Sequence, residues 1–303
     1  MKKEERLINK FTRLLTRANI PKWLHHFGPK RVTFWQLALG LLIKEVFRLS
    51  YRRAAKFLNE FYNINVHWTT LQKCRARVPL ALWQELLACT IEFPIDIAAI
   101  DGTSLQRENP SAHYLKRIDR KEHTSVPVYI NVMIDVLRRK FVAIRHHATK
   151  CGEVPDVQYL IDQSPQEIEL VLMDKLYDSE KLHRSLREQG IYSIIPVKKN
   201  WAKGQLRKQL KDCFDYGQYW QRNLIECLFS ALKRLFGNHI RGLTARTQRA
   251  EIYMRMIAYN IGAKKLETFY RAVFNEDFVE TGTKGSVEKV AAWAKMRMRN
   301  CFS

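Results

Sequence analysis

Long hydrophobic runs are missing from this sequence. The longest, Phe34 to Ile43, already contains Gln36 and stops at Lys44, far short of the roughly 20 apolar residues a membrane-spanning helix needs. No membrane association is expected. The start, Met1-Lys2-Lys3-Glu4-Glu5-Arg6, lacks the apolar stretch and small-residue cleavage site of a secretory signal, so a cytoplasmic, nucleoid-associated protein is the expectation. Cysteine is sparse: Cys74, Cys89, Cys151, Cys213, Cys227 and Cys301 show no close pairing, which excludes a disulfide framework and a zinc ribbon. The nine histidines include the adjacent pair His146 and His147, but neighbours on a strand face opposite sides, so a histidine metal site is not expected. The run Gly282-Thr283-Lys284-Gly285-Ser286 has neither the spacing nor the preceding buried strand of a phosphate loop.

Acid is also in short supply. Against 52 Lys and Arg stand 30 Asp and Glu, a net charge of +22, and such a field attracts polyanions, chiefly nucleic acid or an acidic membrane surface. The excess is densest in front: residues 1–90 carry 17 basic and 5 acidic side chains, hence +12, residues 91–263 carry 27 and 20, hence +7, and the remainder 8 and 5, hence +3.

Against that scarcity, three carboxylates stand out. Read as a helix, residues 219–236 place Tyr219, Arg222, Glu226 and Lys233 within an arc of roughly 60° at about 100° per residue. Leu224, Ile225, Leu228, Ala231, Leu232 and Leu235 fill roughly the opposite third, a core-facing stripe. Taken alone, Glu226 reads equally as a surface ion pair. The second acid, Asp101, closes the apolar run Ile95-Asp-Ile-Ala-Ala-Ile-Asp-Gly-Thr103, with Gly102 expected to turn the chain away, and the third, Asp174, closes Glu167 to Met173. Carboxylates past the ends of buried strands are either solvated turn residues or cation ligands. Three such acids are the minimum set for phosphoryl transfer with two metal ions, one shared acid and one private acid each. Arg222 and Lys233 would suit phosphates, and Tyr219 would stack or hydrogen-bond nearby.

In these blocks the chain resembles the DDE transposases of bacterial and archaeal insertion sequences, which have a ribonuclease H-like fold. The family pattern of tyrosine, two residues, arginine, three residues, glutamate, six residues, lysine is met by Tyr219, Arg222, Glu226 and Lys233. The second block appears as Asp174-Lys175-Leu176-Tyr177-Asp178, with Leu176 where glycine is usual, which raises the question of the turn geometry. The first block is Ile100-Asp101-Gly102-Thr103. The likeness extends over roughly residues 50–262, including the surroundings of Tyr114 and Arg117 and the turn from Gly152 to Asp156. It implies that Asp101, Asp174 and Glu226 are catalytic and hold two Mg²⁺ ions, Mn²⁺ substituting, with Asp101 the shared ligand. It also implies binding of terminal inverted repeats, DNA cleavage to a free 3′ hydroxyl, transfer into target DNA, and a homodimer or larger assembly on DNA.

The rest of the chain reads as an α/β protein with a helical front, divided into residues 1–93, 94–263 and 264–303. Helices are expected over Phe34 to Leu49 and, capped by Ser50, to Tyr62; a third begins at Thr69, where Thr69-Thr70-Leu71-Gln72 has capping-box spacing. Helix, break and basic helix match a helix-turn-helix, which would bring Lys73, Arg75 and Arg77 to DNA; a solvated bundle face or a dimerisation domain fits the same pattern. After Pro94 come strands over residues 126–136 and 141–147 as a hairpin, a helix near residues 156–163, the Asp174 strand, a helix over 179–189 and a strand over 192–197. That order predicts a mixed sheet flanked by helices. Only 52 positions separate Asp174 from Glu226, which leaves no room for a large inserted domain. In the basic segment 198–211, Trp201 either stacks on a base or packs locally. Arg246, Arg249 and Arg255 on a closing helix are available for phosphates, and residues 264–303 hold no chemistry, only a connection and a final helix over 287–299. Two rivals remain: a co-opted DNA-binding regulator without catalysis, and a structure-specific nuclease of the same fold.

Overall fold

A computed structural model describes residues 3–24, 31–107, 127–150, 152–198, 204–212 and 214–262. Trp201, Tyr114, Arg117 and the tail with its expected final helix lie outside these residues. The chain opens with five helices: α1 (Lys3–Arg17), α2 (Phe34–Val46), α3 (Tyr51–Tyr62), α4 (Trp68–Arg77) and α5 (Leu80–Ala88). Three strands follow, β1 (Ile95–Arg107), β2 (Val128–Asp135) and β3 (Lys140–His147), then α6 (Asp156–Asp162), β4 (Ile168–Met173), α7 (Glu180–Glu188) and β5 (Tyr192–Ile194). The described chain ends through α8 (Gln205–Asp212), α9 (Tyr216–Tyr219), α10 (Asn223–Phe236), β6 (His239–Ile240) and α11 (Ala245–Asn260).

The sheet runs β3-β2-β1-β4-β5, with β6 on the far end of β1. β1, β2 and β3 form an antiparallel meander, while β4 pairs parallel to β1 and β5 parallel to β4. This is the ribonuclease H-like mixed sheet flanked by helices. Alternation along β1 decides which layer each residue joins. Ala98 and Ile100 sit in a core with Val157 and Leu160 of α6 and Leu186 of α7. Ala99 and Leu105 belong to the opposite core, shared with α10, α11 and the front helices.

Several boundaries differ from the sequence reading. β1 does not stop at Asp101 but continues to Arg107 against β2. Gly102 is therefore a strand residue, and it serves space rather than a turn: a Cβ there would lie 2.7 Å from Glu153 Oε1 and 2.9 Å from Asn131 Oδ1. α4 begins at Trp68 with His67 before it, so the Thr69 capping box is not formed; the Thr69 hydroxyl instead meets His67 Nδ1 at 2.7 Å. The continuous helix expected from residue 219 is broken into α9, a 3₁₀ turn over Trp220–Arg222, and α10. Ser50 caps α3 as expected, accepting from Arg53 N–H, and Gly190, at φ +76°, follows α7.

Pro94 falls between α5 and β1, yet the apolar core is continuous from Leu7 in α1 to Ile261 after α11. A buried ionic network crosses the same junction. Glu251 of α11, fully buried, accepts from Arg75 of α4 at 3.0 Å, from Arg255 and from the N–H groups of Arg241 and Gly242. Glu45 of α2 accepts from Lys44 at 2.6 Å and Arg255 at 3.3 Å. Burial pushes the Glu45 carboxyl up, but Lys44, Arg255 and Arg75 more than offset it and hold the group below its ordinary value. Arg75 and Arg255, expected on DNA, are thus turned inward, because each meets a buried carboxylate that would otherwise be unpaired. No helix among the described residues is long and apolar enough to cross a membrane.

Candidate active site

Parallel pairing of β1 with β4 ends at Ile100 and Met173. The next residue on each chain is an acid, so Asp101 and Asp174 stand side by side at the end of the parallel pair, about one strand spacing of ~4.8 Å apart in the backbone. Each secures one carboxylate oxygen locally: Asp101 Oδ1 accepts from Gly102 N–H at 2.8 Å and Asp174 Oδ1 from Lys175 N–H at 2.7 Å. After Asp174 the chain makes a 3₁₀ turn over Lys175–Tyr177, and Leu176 lies exposed in it with a negative φ. Leucine is therefore accommodated where glycine is usual, since the turn uses no left-handed residue.

The turn before α10 presents the third group. Arg222 donates from Nη1 to Asp101 Oδ2 at 3.0 Å and from Nη2 to Glu226 Oε1 at 2.9 Å, so one guanidinium spans two of the three acids. Two turns further along α10, Lys233 donates to Thr103 Oγ1 at 2.9 Å. Asp101, Thr103 and Leu105 are alternate residues of β1, so they point to the α10 side of the sheet. The polar stripe read from the sequence thus faces this edge of β1, while Ile225, Leu228, Ala231, Leu232 and Leu235 are buried in the core. Tyr219, the last residue of α9, packs on Phe214 with ring centroids 5.3 Å apart.

Burial sets the electrostatics of the site. Burial raises the Asp101 carboxyl above its ordinary value; Gly102 N–H and Arg222 oppose this, while Glu153 and Asp174 push the same way as burial. Burial works against the charge of Arg222, but Asp101, Tyr219, Asp174 and Glu226 outweigh it and keep it firmly protonated. Burial alone lowers Lys233. Asp101 and Arg222 have side chains 20% and 15% exposed, whereas Glu226 is 59% exposed, so Glu226 is free to reorient at little cost and the other two are held. Among the described residues no three His, Cys, Asp or Glu side chains stand in a metal-holding group; Arg222 occupies the space between Asp101 and Glu226.

The donor set nevertheless suits a hard divalent cation: carboxylate oxygens only, two of them where the parallel pairing of β1 and β4 ends, and one, Asp101, in surroundings that disfavour its negative charge. Two neighbours complete the surroundings: Glu153, not singled out from the sequence, and Asp178, read there only as the last residue of the second block. Glu153, in the turn before α6, approaches Gly102 closely and acts on Asp101 electrostatically, and only the Gly152 to Asp156 likeness hinted at it. Asp178 is buried and ties Arg207 of α8 and the Lys198 N–H, a positioning contact behind Asp174. On the helical front, Lys73 and Arg77 are exposed on α4.

No curated protein matches the chain. Solved structures similar to it include two transposase complexes. One is the piggyBac transposase synaptic complex with hairpin DNA, determined by cryo-EM, at 12% identity and TM-score 0.44, covering 94% of this chain and 82% of that one. The other is the Mos1 transposase paired-end complex with the left transposon end, at 11% identity and TM-score 0.23, covering 70% of this chain and 82% of that one. The family described as the transposase DDE domain matches residues 92–261, which is more than half of the 303 residues and takes in the whole sheet together with Asp101, Asp174 and Glu226. The chain belongs to the DDE transposase family.

Proposed function

We propose that this transposase binds the terminal inverted repeats of its own element, cleaves DNA there to a free 3′ hydroxyl, and joins that hydroxyl to target DNA. The observation that carries the reading is the placement of Asp101 and Asp174 at the end of one parallel strand pair, with Arg222 joining Asp101 to Glu226. Asp101, Asp174 and Glu226 would hold two Mg²⁺ ions, for which Mn²⁺ substitutes, with Asp101 the shared ligand. Bound there, the metal supplies activation of the attacking oxygen and stabilisation of the leaving one.

The chain's own groups do the rest. Burial of Asp101 favours a cation beside it over a solvated carboxylate. Arg222 bridges Asp101 and Glu226 with one positive charge, and its guanidinium fork suits a phosphate as well as a carboxylate. Lys233, held by Thr103, places a second cation on the same side of β1 for a neighbouring phosphate. Tyr219 supplies a ring at the mouth of the site. Lys73 and Arg77 on the exposed side of α4 contact duplex DNA, and Arg75 does not. Because two element ends must meet, the working form is a homodimer or larger on DNA.

Leu176 and the tail after residue 263 are the features that favour a regulator without catalysis, and the turn at Leu176 accepts leucine without strain. The decisive experiment is Mg²⁺-dependent cleavage of DNA carrying the element ends, by the unmodified protein and by Asp101→Asn. Cleavage lost in the variant with binding kept supports the reading. Binding without any cleavage in Mg²⁺ or Mn²⁺ by the unmodified protein refutes it, and end-independent cleavage of branched DNA selects the structure-specific nuclease.

A further inference from the structure

We propose that a cavity at the far end of β1 is a second phosphate site, which takes the backbone of the DNA strand leaving the acid cluster. This rests on the reading above that the protein acts on DNA. The cavity, of about 470 Å³, lies among the end of α2, the end of β1, the C-terminus of α10 and β6, and its lining carries Lys44, Arg48, Arg107, Arg241 and Arg255 against one carboxylate, Glu45.

The charge there is not cancelled by the buried network. Among the described residues, Lys44, Arg75 and Arg255 pair with Glu45 and Glu251, three cations to two acids, which leaves one positive charge. Arg107 adds another: its Nη2 donates to the Ala148 carbonyl at 2.9 Å, a neutral acceptor, and its Nε is buried with no hydrogen-bond partner among the described residues. Arg48 donates to the Leu235 and Arg234 carbonyls and Arg255 to those of Gly237 and His239. These contacts fix both guanidinium groups in place, so the rim is ordered before a ligand arrives.

Position ties the cavity to the proposed chemistry. Arg107 follows Asp101 by six residues on one strand, an even number, so both lie on the α10 side of the sheet. At a rise of about 3.3 Å per residue the two are ~20 Å apart, about six nucleotides at 3.4 Å each. Lys233, on Thr103, stands between them. Arg222, Lys233 and the cavity thus form a basic track along one edge. Its ligand is a run of phosphodiesters, recognised without regard to base sequence.

The test is the salt dependence of binding to a fluorescein-labelled duplex of arbitrary sequence, followed by anisotropy. Each lost phosphate contact lowers the slope of log K against log salt by about 0.9, so Arg107→Gln with Arg241→Gln is expected to lower it by about 2. The charge-matched control, Lys181→Gln with Arg184→Gln on exposed positions of α7, is expected to leave the slope unchanged, and Arg107→Lys with Arg241→Lys to keep it near the unmodified value. Should the glutamine pair fail to fold, Arg241→Gln alone, at an exposed residue, is expected to lower the slope by about 1. An unchanged slope, or an equal fall in the control, overturns the cavity site while leaving the transposase reading standing. Absence of any duplex binding by the unmodified protein sinks that reading, and this proposal with it.

Discussion

Glu251→Ala is expected to cost about 4 kcal/mol of stability. Glu251 is fully buried and accepts from two guanidinium groups and two backbone N–H groups. Removing one member of a buried ionic network typically costs about 3–5 kcal/mol, because the remaining charges stay behind without compensation. Here three cations would be left facing Glu45 alone. The orphaned N–H groups of Arg241 and Gly242 add roughly 1 kcal/mol each if dry, and water entering from the neighbouring cavity offsets part of the total. Since whole domains are stable by only about 5–15 kcal/mol, the loss shifts thermal unfolding downward by roughly 10 °C at this chain size. Urea denaturation followed by circular dichroism measures it. Arg75→Met completes a double-mutant cycle, in which the Arg75–Glu251 pair should couple by more than about 1 kcal/mol, as neighbours in one network do. A Glu251→Ala cost below about 1 kcal/mol, or a coupling near zero, would refute the claim that these charges fasten the front helices to the sheet.

Other expectations follow from the same groups. The Glu45 carboxyl is held below its ordinary value of 4.5, so its contribution is present above that pH and lost as pH falls through the depressed folded value; Glu45→Gln should flatten the acid limb of the stability–pH profile. Asp101 is shifted the other way, so its ionised form opposes folding at neutral pH and is relieved on acidification. Asp101→Asn should therefore unfold at a higher temperature than the unmodified protein at pH 7 while losing cleavage, and a lower unfolding temperature would contradict the assignment. Leu176→Gly should change stability by no more than about 0.5 kcal/mol and leave cleavage kinetics unaltered, because the turn has a negative φ; a large gain in cleavage would show that leucine impairs the site. Lys73→Gln and Arg77→Gln should weaken DNA binding with unchanged unfolding, whereas Arg75→Gln should lower stability first.

Much of the site was legible because it lies in local periodicity. The stripe of Tyr219, Arg222, Glu226 and Lys233 follows from helical spacing, and Asp101 and Asp174 from apolar runs that end in acid. What could not be read was whatever depends on a distant partner. Arg75 looks like any basic residue on a helix face, and only Glu251, 176 positions away, turns it inward. Arg255 escaped for the same reason. Gly102 reads as a turn beside Asp101, yet its role comes from Glu153 and Asn131 pressing on the strand. The break before α10 left no clear mark, since the residues around it keep helical dihedrals. The continuous core between front helices and sheet is likewise invisible to composition, which changes at Pro94 while the packing does not.

The central claim is that Asp101, Asp174 and Glu226 together bind divalent metal, and it is tested most directly by Mn²⁺ titration of the protein–DNA complex followed by electron paramagnetic resonance. The account predicts that Asp101→Asn, Asp174→Asn and Glu226→Gln each remove or weaken tightly bound Mn²⁺, Asp101→Asn most severely. Mn²⁺ binding that is the same in all three variants as in the unmodified protein would contradict it.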